Sequence, residues 1–335
     1  MRLAPFMAHF RRNPSMSPVT CRSTRWSLAS VLLLAVTALV PPTAQAADEP
    51  IAVERGADRL TIKVGGFPVT QYVFADETIL RPYFANLRTA NGKLVTRRHP
   101  PTAPADAVDH DTMHPGVWLG FGDLGGADFW RNGGRMEHVD FEREPEVVDG
   151  QVRFAQRTRL IDADGNELGR LTHHCAVRAI DDGWMLIWEG VFVAGNKPLT
   201  FGDQEEMGFG VRTSSELTEQ GGGTIVSAAG KIGAAATRGQ EAAWCDVSGI
   251  VEGEPVGITL IPSPDNFRAS WWHNRDYGLL VANPFGRRSL AGGEASEVTV
   301  AAGDEWRIAF AAVVHHGFTF DPASFASTLS FEDAD

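Results

Sequence analysis

The alternation of apolar and polar residues over most of the chain after residue 50 constrains the fold more than any other feature. Residues 151–180, 183–195 and 296–317 alternate with a period of two, as strands do when they bury one face of a sheet. Turn dipeptides such as Asp164-Gly165 separate these stretches and favour β-hairpins. The sequence therefore predicts antiparallel β-sheet.

Helix signals are confined to the end of the chain. Asp321 can act as a helix N-cap with Pro322 at the first helical position, which is a typical helix start. Strands do not alternate with long helices, and no linker-like change of composition divides the chain. We therefore predict an all-β fold, a large antiparallel β-sandwich with one short C-terminal helix, and a single domain over residues 47–335.

The first 46 residues have the segment order of a secretory signal peptide. A basic stretch without acidic residues precedes an apolar run over 28–40, and a small-residue cleavage motif follows at 44–46. The basic residues are Arg2, Arg11, Arg12, Arg22 and Arg25. We predict that residues 1–46 are removed and that the protein is periplasmic or secreted. No later stretch has the roughly 18 consecutive apolar residues of a membrane helix, so we expect no membrane span.

The charge of the chain excludes one class of partner. The sequence has 30 basic and 42 acidic residues. Without the five arginines of the signal peptide, 25 basic against 42 acidic residues give a formal charge of −17. Polyanions repel such a protein, so we expect no nucleic-acid partner.

Two segments depart from the strand pattern. Residues 100–138 contain closely spaced prolines, then histidines, then a Gly-rich aromatic run, and residues 270–278 crowd two tryptophans with charged side chains. Long irregular loops on a β scaffold commonly carry function. Functional residues are therefore expected in these two segments.

Residues 109–135, together with 81–101, 200–212 and 271–286, resemble a bacterial family of unknown function, DUF6807, also labelled PmoA-like. The most specific part is a histidine-containing loop followed by G-D-x-x-G-x-D-F-W. The resemblance implies a secreted β-sandwich protein encoded among carbohydrate-degrading genes. By analogy of size and pattern, the fold is similar to the supersandwich of galactose mutarotase-like proteins, which use a histidine with a carboxylate on a concave sheet face.

The first candidate site is the loop that carries His110 and His114. Asp109, Asp111 and Asp123 lie near these histidines in the sequence, and imidazole next to carboxylates suits acid–base chemistry or metal binding. The alternative is a loop in which the imidazoles bond backbone carbonyls.

The second candidate is the strand that ends at residue 212. Its alternation puts five residues on one face: Gln204, Glu206, Gly208, Gly210 and Arg212. The glycines leave room for a ligand between Glu206, a possible acid or base, and Arg212, a possible clamp. Glu205 falls on the apolar face and needs a partner. The alternative is an acidic edge strand whose charges face solvent.

The third candidate is residues 271–277, where aromatic rings alternate with hydrogen-bonding groups as a sugar-binding surface requires. The alternative is a tryptophan core with a surface ion pair. From the three segments we predict as catalytic residues His110, His114, Glu206 and His273. As substrate-binding residues we predict Arg81, Tyr83, Asp123, Trp130, Glu205, Arg212, Trp272, Arg275 and Asp276.

These residues predict acid–base chemistry on a sugar or oligosaccharide by a hydrolase, lyase or epimerase, with leading roles for His114 and Glu206. The first alternative is a non-catalytic glycan-binding module, in which only the aromatic residues matter. The second alternative is an enzyme that holds a divalent metal with His110, His114 and His273; no other cofactor is indicated.

Four other histidines and two cysteines are given structural roles. The adjacent pairs His173-His174 and His315-His316 lie in alternating strands, so one histidine of each pair must face inward. Cys175 and Cys245 remain after signal-peptide removal. They either form a disulfide or stay as two buried thiols.

Overall fold

The computed structural model describes residues 51–331, and the predicted signal peptide lies outside the described residues. Two eight-stranded sheets dominate, and every strand pairing is antiparallel. In spatial order the first sheet consists of β1 (Ile51–Arg55), β2 (Arg59–Val64), β3 (Phe67–Val73), β4 (Tyr83–Ala85), β5 (Gly116–Phe121), β11 (Met207–Arg212), β16 (Leu279–Asn283) and β15 (Trp271–Trp272).

The second sheet consists of β12 (Thr224–Ser227), β13 (Cys245–Val251), β14 (Glu254–Pro262), β18 (Glu305–His316), β9 (Gly183–Ala194), β8 (Glu167–Ile180), β7 (Gln151–Ile161) and β6 (Arg135–Val148). A small third sheet pairs β10 (Leu199–Phe201) with β17 (Val298–Val300). The predicted antiparallel sandwich is confirmed, because side chains of the two large sheets meet in one core. The rings of Phe209 and Phe310, one from each sheet, stack with centroids 5.2 Å apart.

The described helices are α1 (Ala234–Thr237), α2 (Arg287–Ala291), α3 (Pro322–Thr328) and a 3₁₀ turn (Ser215–Leu217). Helix α3 is the predicted C-terminal helix, and the Asp321 side chain accepts a hydrogen bond from the Ala323 N–H. Helices α1 and α2 were not predicted, since a glycine without a side-chain cap precedes each. In residues 51–331 no helix is long and apolar enough to cross a membrane.

The first sheet also buries side chains on the face turned away from the core, here called the outer face. Cross-strand pairing places Tyr83 beside Trp118, Trp118 beside Gly210, and Gly210 beside Val281. These residues belong to a second apolar cluster with Trp130. Loops therefore cover part of this face, and they are the segments in which function was expected.

The cysteines and paired histidines have structural surroundings. Cys175 and Cys245 are free, buried thiols. His173 is buried and accepts a hydrogen bond from the Trp188 indole at 3.2 Å. His315 is also buried, with Nε2 2.8 Å from Asp246. The choice between a disulfide and two thiols is thus settled in favour of thiols.

Candidate functional site

A buried arginine that the sequence analysis missed holds the histidine loop in place. Arg97 is 2% exposed and donates to the backbone carbonyls of Ala107, His110 and His114 at 2.8, 3.2 and 3.0 Å. A guanidinium has five donors in a fixed fork, so one side chain satisfies several carbonyls of an irregular loop. Only the position of Arg97 at the start of the loop could have suggested this role.

His114 lies at the inner end of this loop and is almost fully buried. Its ring stacks on Trp118 with centroids 5.1 Å apart, and the edge of Trp130 approaches within 5.9 Å. Burial, helped by the charge of Arg212, lowers the pKa of His114 to about 2. The imidazole is therefore neutral at physiological pH, and its Nδ1 has no hydrogen-bond partner.

Arg212, the last residue of β11, binds the same loop. Its two terminal nitrogens lie 3.1 and 2.9 Å from the carboxylate oxygens of Asp109, and its guanidinium lies 4.4 Å from the ring centre of Tyr277. Burial raises the pKa of Asp109, but hydrogen bonds from Arg212 and His110 outweigh it and lower the pKa to about 2. The predicted role of Arg212 opposite Glu206 stays a prediction, and in this structure both terminal nitrogens of the guanidinium engage Asp109.

At the other end of β11, two carboxylates and one imidazole come together. One ligand atom from each of Glu205, Glu206 and His273 lies within 4.8 Å of the others, and we call these three residues the acidic cluster. The Nδ1–H of His273 donates to the backbone carbonyl of Glu205 at 2.8 Å. Nε2 of His273 lies 3.6 Å from Glu205 Oε2 and has no hydrogen-bond partner.

Burial lowers the pKa of His273, whose side chain is 3% exposed, and so favours the neutral imidazole. Burial raises the pKa of Glu205, but the hydrogen bond from Arg238 and neighbouring positive charges lower it below its usual value. The side chains of Glu205 and Glu206 are 32% and 28% exposed. The acidic cluster therefore combines a buried imidazole with two carboxylates that solvent can reach.

Two arginines and an asparagine that sequence reasoning missed support the acidic cluster. Arg238 pairs with Glu205, and Arg131 lies 2.8 Å from Glu206. The amide of Asn283 donates to the carbonyls of residues 204 and 205 at 2.8 and 3.1 Å. Arg131 directly follows the D-F-W motif, which was the one available signal.

The four predicted catalytic residues form two separate pairs. The rings of His110 and His114 stack with centroids 5.0 Å apart, and Glu206 lies with His273 in the acidic cluster. Both pairs lie on the outer face of the first sheet. His114 stacks on Trp118, and Trp118 and His273 lie three strand spacings apart in this sheet. The backbones of Trp118 and His273 are therefore separated by about 14 Å.

Aromatic residues predicted to stack on a sugar are interior. Trp272 is fully buried in the main core, and its Nε1–H donates to the Ala242 carbonyl at 3.0 Å. Trp130 and Tyr83 are each 1% exposed, and the Tyr83 hydroxyl donates to Asp76 at 2.6 Å. Loops and sheets cover all three rings, so the predicted substrate contacts of Trp272, Trp130 and Tyr83 stay predictions that their burial does not favour.

The remaining predicted binding residues are one buried arginine and three charged residues that are partly or fully exposed. Arg81 is buried and donates to the backbone carbonyls of Met113 and Trp130. Asp123 accepts the Gly126 N–H within its own turn and follows β5 on the core side. The predicted substrate contacts of these two residues stay predictions. Arg275 and Asp276 are exposed, and the charge of Arg275 is one of those that lower the pKa of Glu205.

The glycines of the outer face make room for indole rings. A Cβ atom on Gly210 would lie 2.9 Å from the Trp118 ring, and one on Gly120 would lie 3.1 Å from Trp118 and 3.2 Å from Trp130. The indoles therefore occupy the space over Gly210 in which a ligand was expected.

Fold and site together define an antiparallel β-sandwich that carries a histidine–carboxylate cluster on the outer face of one sheet. A model of a family of unknown function, DUF6807, matches residues 59–329, and the chain belongs to this family. A comparison with curated proteins finds no match.

Several solved structures are similar to this chain at low identity. A galactose mutarotase-like protein from Lactobacillus casei ATCC 334 is 10% identical, with a TM-score of 0.35, covering 79% of this chain and 100% of that one. Galactose 1-epimerase from Lactobacillus acidophilus NCFM is 9% identical, with a TM-score of 0.40 and coverage of 80% and 98%. A galactose mutarotase-like protein from Clostridium acetobutylicum is 8% identical, with a TM-score of 0.38 and coverage of 80% and 98%.

Proposed function

We propose that this protein is a periplasmic or secreted carbohydrate-active enzyme and that the acidic cluster is its reaction centre. The observation that carries the proposal is the convergence of Glu205, Glu206 and His273 within 4.8 Å of one another. They come from two distant parts of the chain, and reaction centres are commonly assembled in this way on a rigid scaffold.

The chemistry of the cluster fits a polyhydroxylated substrate. The carboxylates and the free Nε2 of His273 accept hydrogen bonds from hydroxyl groups, while Arg131 and Arg238 present forked donors beside them. The family resemblance supports a carbohydrate as the substrate class. The proposal covers hydrolysis, elimination and epimerisation, each of which begins with a sugar hydroxyl or ring oxygen held in a fixed orientation.

The burial of the aromatic residues favours an enzyme over a non-catalytic glycan-binding module. Such a module needs exposed rings for sugar stacking, but Tyr83, Trp130 and Trp272 are interior and Trp271 is 8% exposed, and Tyr277 is only half-buried. Reachable groups near the site are carboxylates and guanidinium groups instead.

The test uses α-D-galactose, lactose, cellobiose and galacturonate, with binding measured by saturation-transfer NMR and conversion by ¹H NMR. We expect the wild-type protein to bind and convert at least one of these sugars. Glu206→Gln should lower the conversion rate about 100-fold or more while its melting temperature stays near that of the wild type. The matched control is Glu216→Gln, because Glu216 is an exposed glutamate on the 3₁₀ turn.

Two results contradict the proposal. One is that none of the four sugars binds or is converted. The other is that Glu206→Gln converts a sugar as fast as Glu216→Gln does.

A further inference from the structure

The acidic cluster has an arrangement of lone pairs that hydrogen bonding alone does not explain. His273 must carry its proton on Nδ1, because that atom donates to the Glu205 carbonyl. In the neutral ring Nε2 then presents a lone pair, and it faces the carboxylate oxygen Oε2 of Glu205 at 3.6 Å. Two acceptors that face each other repel unless a positive charge lies between them.

The flanking arginines do not supply that charge at this point. Arg238 contacts Oε1 of Glu205, and Arg131 contacts Oε2 of Glu206. Neither guanidinium lies on the Glu205 Oε2 that faces the imidazole. Nε2 of His273 is buried without a hydrogen-bond partner, and a buried unpaired polar atom destabilises the folded state.

We propose that Glu205, Glu206 and His273 bind one divalent transition-metal ion, Mn²⁺ or Zn²⁺. Its use in a reaction rests on the proposed function, whereas the binding of the ion does not. Ligands about 2.1 Å from a tetrahedral ion lie about 3.4 Å apart, close to the 3.6 Å between His273 Nε2 and Glu205 Oε2. The ligand atoms of all three residues lie within 4.8 Å of one another, so the carboxylate side chains would draw inward to close the site.

The surroundings of His273 are those of a metal ligand. Metal-binding histidines usually donate the other ring N–H to a carbonyl or carboxylate, which fixes the tautomer and the ring orientation. Here the acceptor is the Glu205 carbonyl, which Asn283 also holds at 3.1 Å. The ring is thus oriented before any ion arrives.

The ligand types select among metals. Imidazole suits transition metals, and carboxylates suit harder ions such as Mn²⁺, so one nitrogen with two carboxylates favours Mn²⁺ or Zn²⁺ over Ca²⁺. Three protein ligands leave positions open for water or sugar hydroxyls. Because Arg131 and Arg238 offset part of the carboxylate charge, we expect an ion that EDTA removes.

The test measures metal binding directly, on protein first treated with EDTA. MnCl₂ is titrated with detection of free Mn²⁺ by electron paramagnetic resonance, and ZnCl₂ and CaCl₂ are titrated by calorimetry. We expect about one Mn²⁺ or Zn²⁺ per chain and weaker Ca²⁺ binding. Glu206→Gln and His273→Gln should each weaken Mn²⁺ binding at least tenfold, whereas Glu216→Gln and His316→Gln should not. The ¹⁴N modulation of the Mn²⁺ spin echo should disappear in His273→Gln.

Because His273 is buried, its variant is accompanied by a thermal melt, and the half-exposed Glu206 provides the second variant. The inference is overturned if EDTA-treated wild type binds neither Mn²⁺ nor Zn²⁺. It is also overturned if Glu206→Gln binds them as tightly as Glu216→Gln.

The sugar experiment separates this inference from the proposed function. Sugar conversion that depends on Glu206 without any metal binding overturns the metal and leaves the enzyme. Metal binding that depends on Glu206 and His273, with none of the four sugars bound, supports the metal and overturns the carbohydrate function.

Discussion

Replacing Trp272 with alanine discriminates between a sugar platform and a core residue. The side chain is fully buried among the residues that join the two sheets, and its Nε1–H bonds the Ala242 carbonyl at 3.0 Å. Truncation of a core tryptophan to alanine costs about 3–5 kcal/mol, because apolar contacts are lost and a cavity remains. We therefore expect Trp272→Ala to lower the free energy of unfolding by that amount.

The hydrogen bond can be separated from the volume with Trp272→Phe. Phenylalanine keeps most of the ring contacts but leaves the buried Ala242 carbonyl without its donor, at a cost of about 1–3 kcal/mol. For a domain of this size, about 2–4 °C of melting temperature are lost per kcal/mol. The alanine variant should accordingly melt roughly 6–20 °C lower and the phenylalanine variant less far below the wild type.

Calorimetric melts and urea unfolding without ligand give both values. Trp244→Ala is the matched control, because Trp244 is only half-buried and should lose less stability. A Trp272→Ala protein that melts within about 2 °C of the wild type would refute the argument. If that variant also bound sugar more weakly, Trp272 would be a stacking platform after all.

Three further perturbations test other parts of the structure. Burial lowers the pKa of His114 to about 2 and of His173 to about 3, so below about pH 6.5 only the unfolded chain takes up these protons. Urea unfolding should therefore show about 4 kcal/mol less stability at pH 5 than at pH 7, and an unchanged value contradicts the burial argument. Gly210→Ala should lower the free energy of unfolding by about 1–3 kcal/mol in the same assay, because its Cβ would meet the Trp118 ring. An unchanged urea midpoint argues against this packing. Arg97→Lys should speed proteolysis of the loop that carries His114, because lysine lacks the several guanidinium donors that bond the loop carbonyls. Equal cleavage rates would contradict the role of Arg97 in holding the loop.

The strand pattern was sufficient to predict the sandwich because burial on one face forces a period of two. Helix α3 was predicted from a different signal, the N-cap residue Asp321 with Pro322 at the first helical position. Neither signal predicted α1 or α2, which have four and five residues. Such short helices bury no continuous apolar stripe, so their sequences lack a periodic signal.

The phase of the alternation explains why some residues predicted to contact a substrate face the core instead. Neighbouring residues of a strand point to opposite faces, so Trp272 and His273 cannot both face a substrate there. A pattern of period two gives relative but not absolute facing, and only the pairing of Trp272 with Ala282 places the indole in the core. Arg131 and Arg238 escaped prediction because their partners in the acidic cluster, Glu206 and Glu205, are distant in sequence.

Strand β11 fixes the distance between the acidic cluster and the loop that Arg212 holds. Glu206 precedes its first residue and Arg212 is its last, and six steps of about 3.3 Å separate their backbones by about 20 Å. Pairing with β5 and β16 keeps the strand extended, so this distance cannot shorten. A cavity of about 350 Å³ beside Arg212 and Tyr277 lies at the far end from the acidic cluster. Under the proposed function, a single sugar ring can therefore contact the acidic cluster or this cavity, but not both.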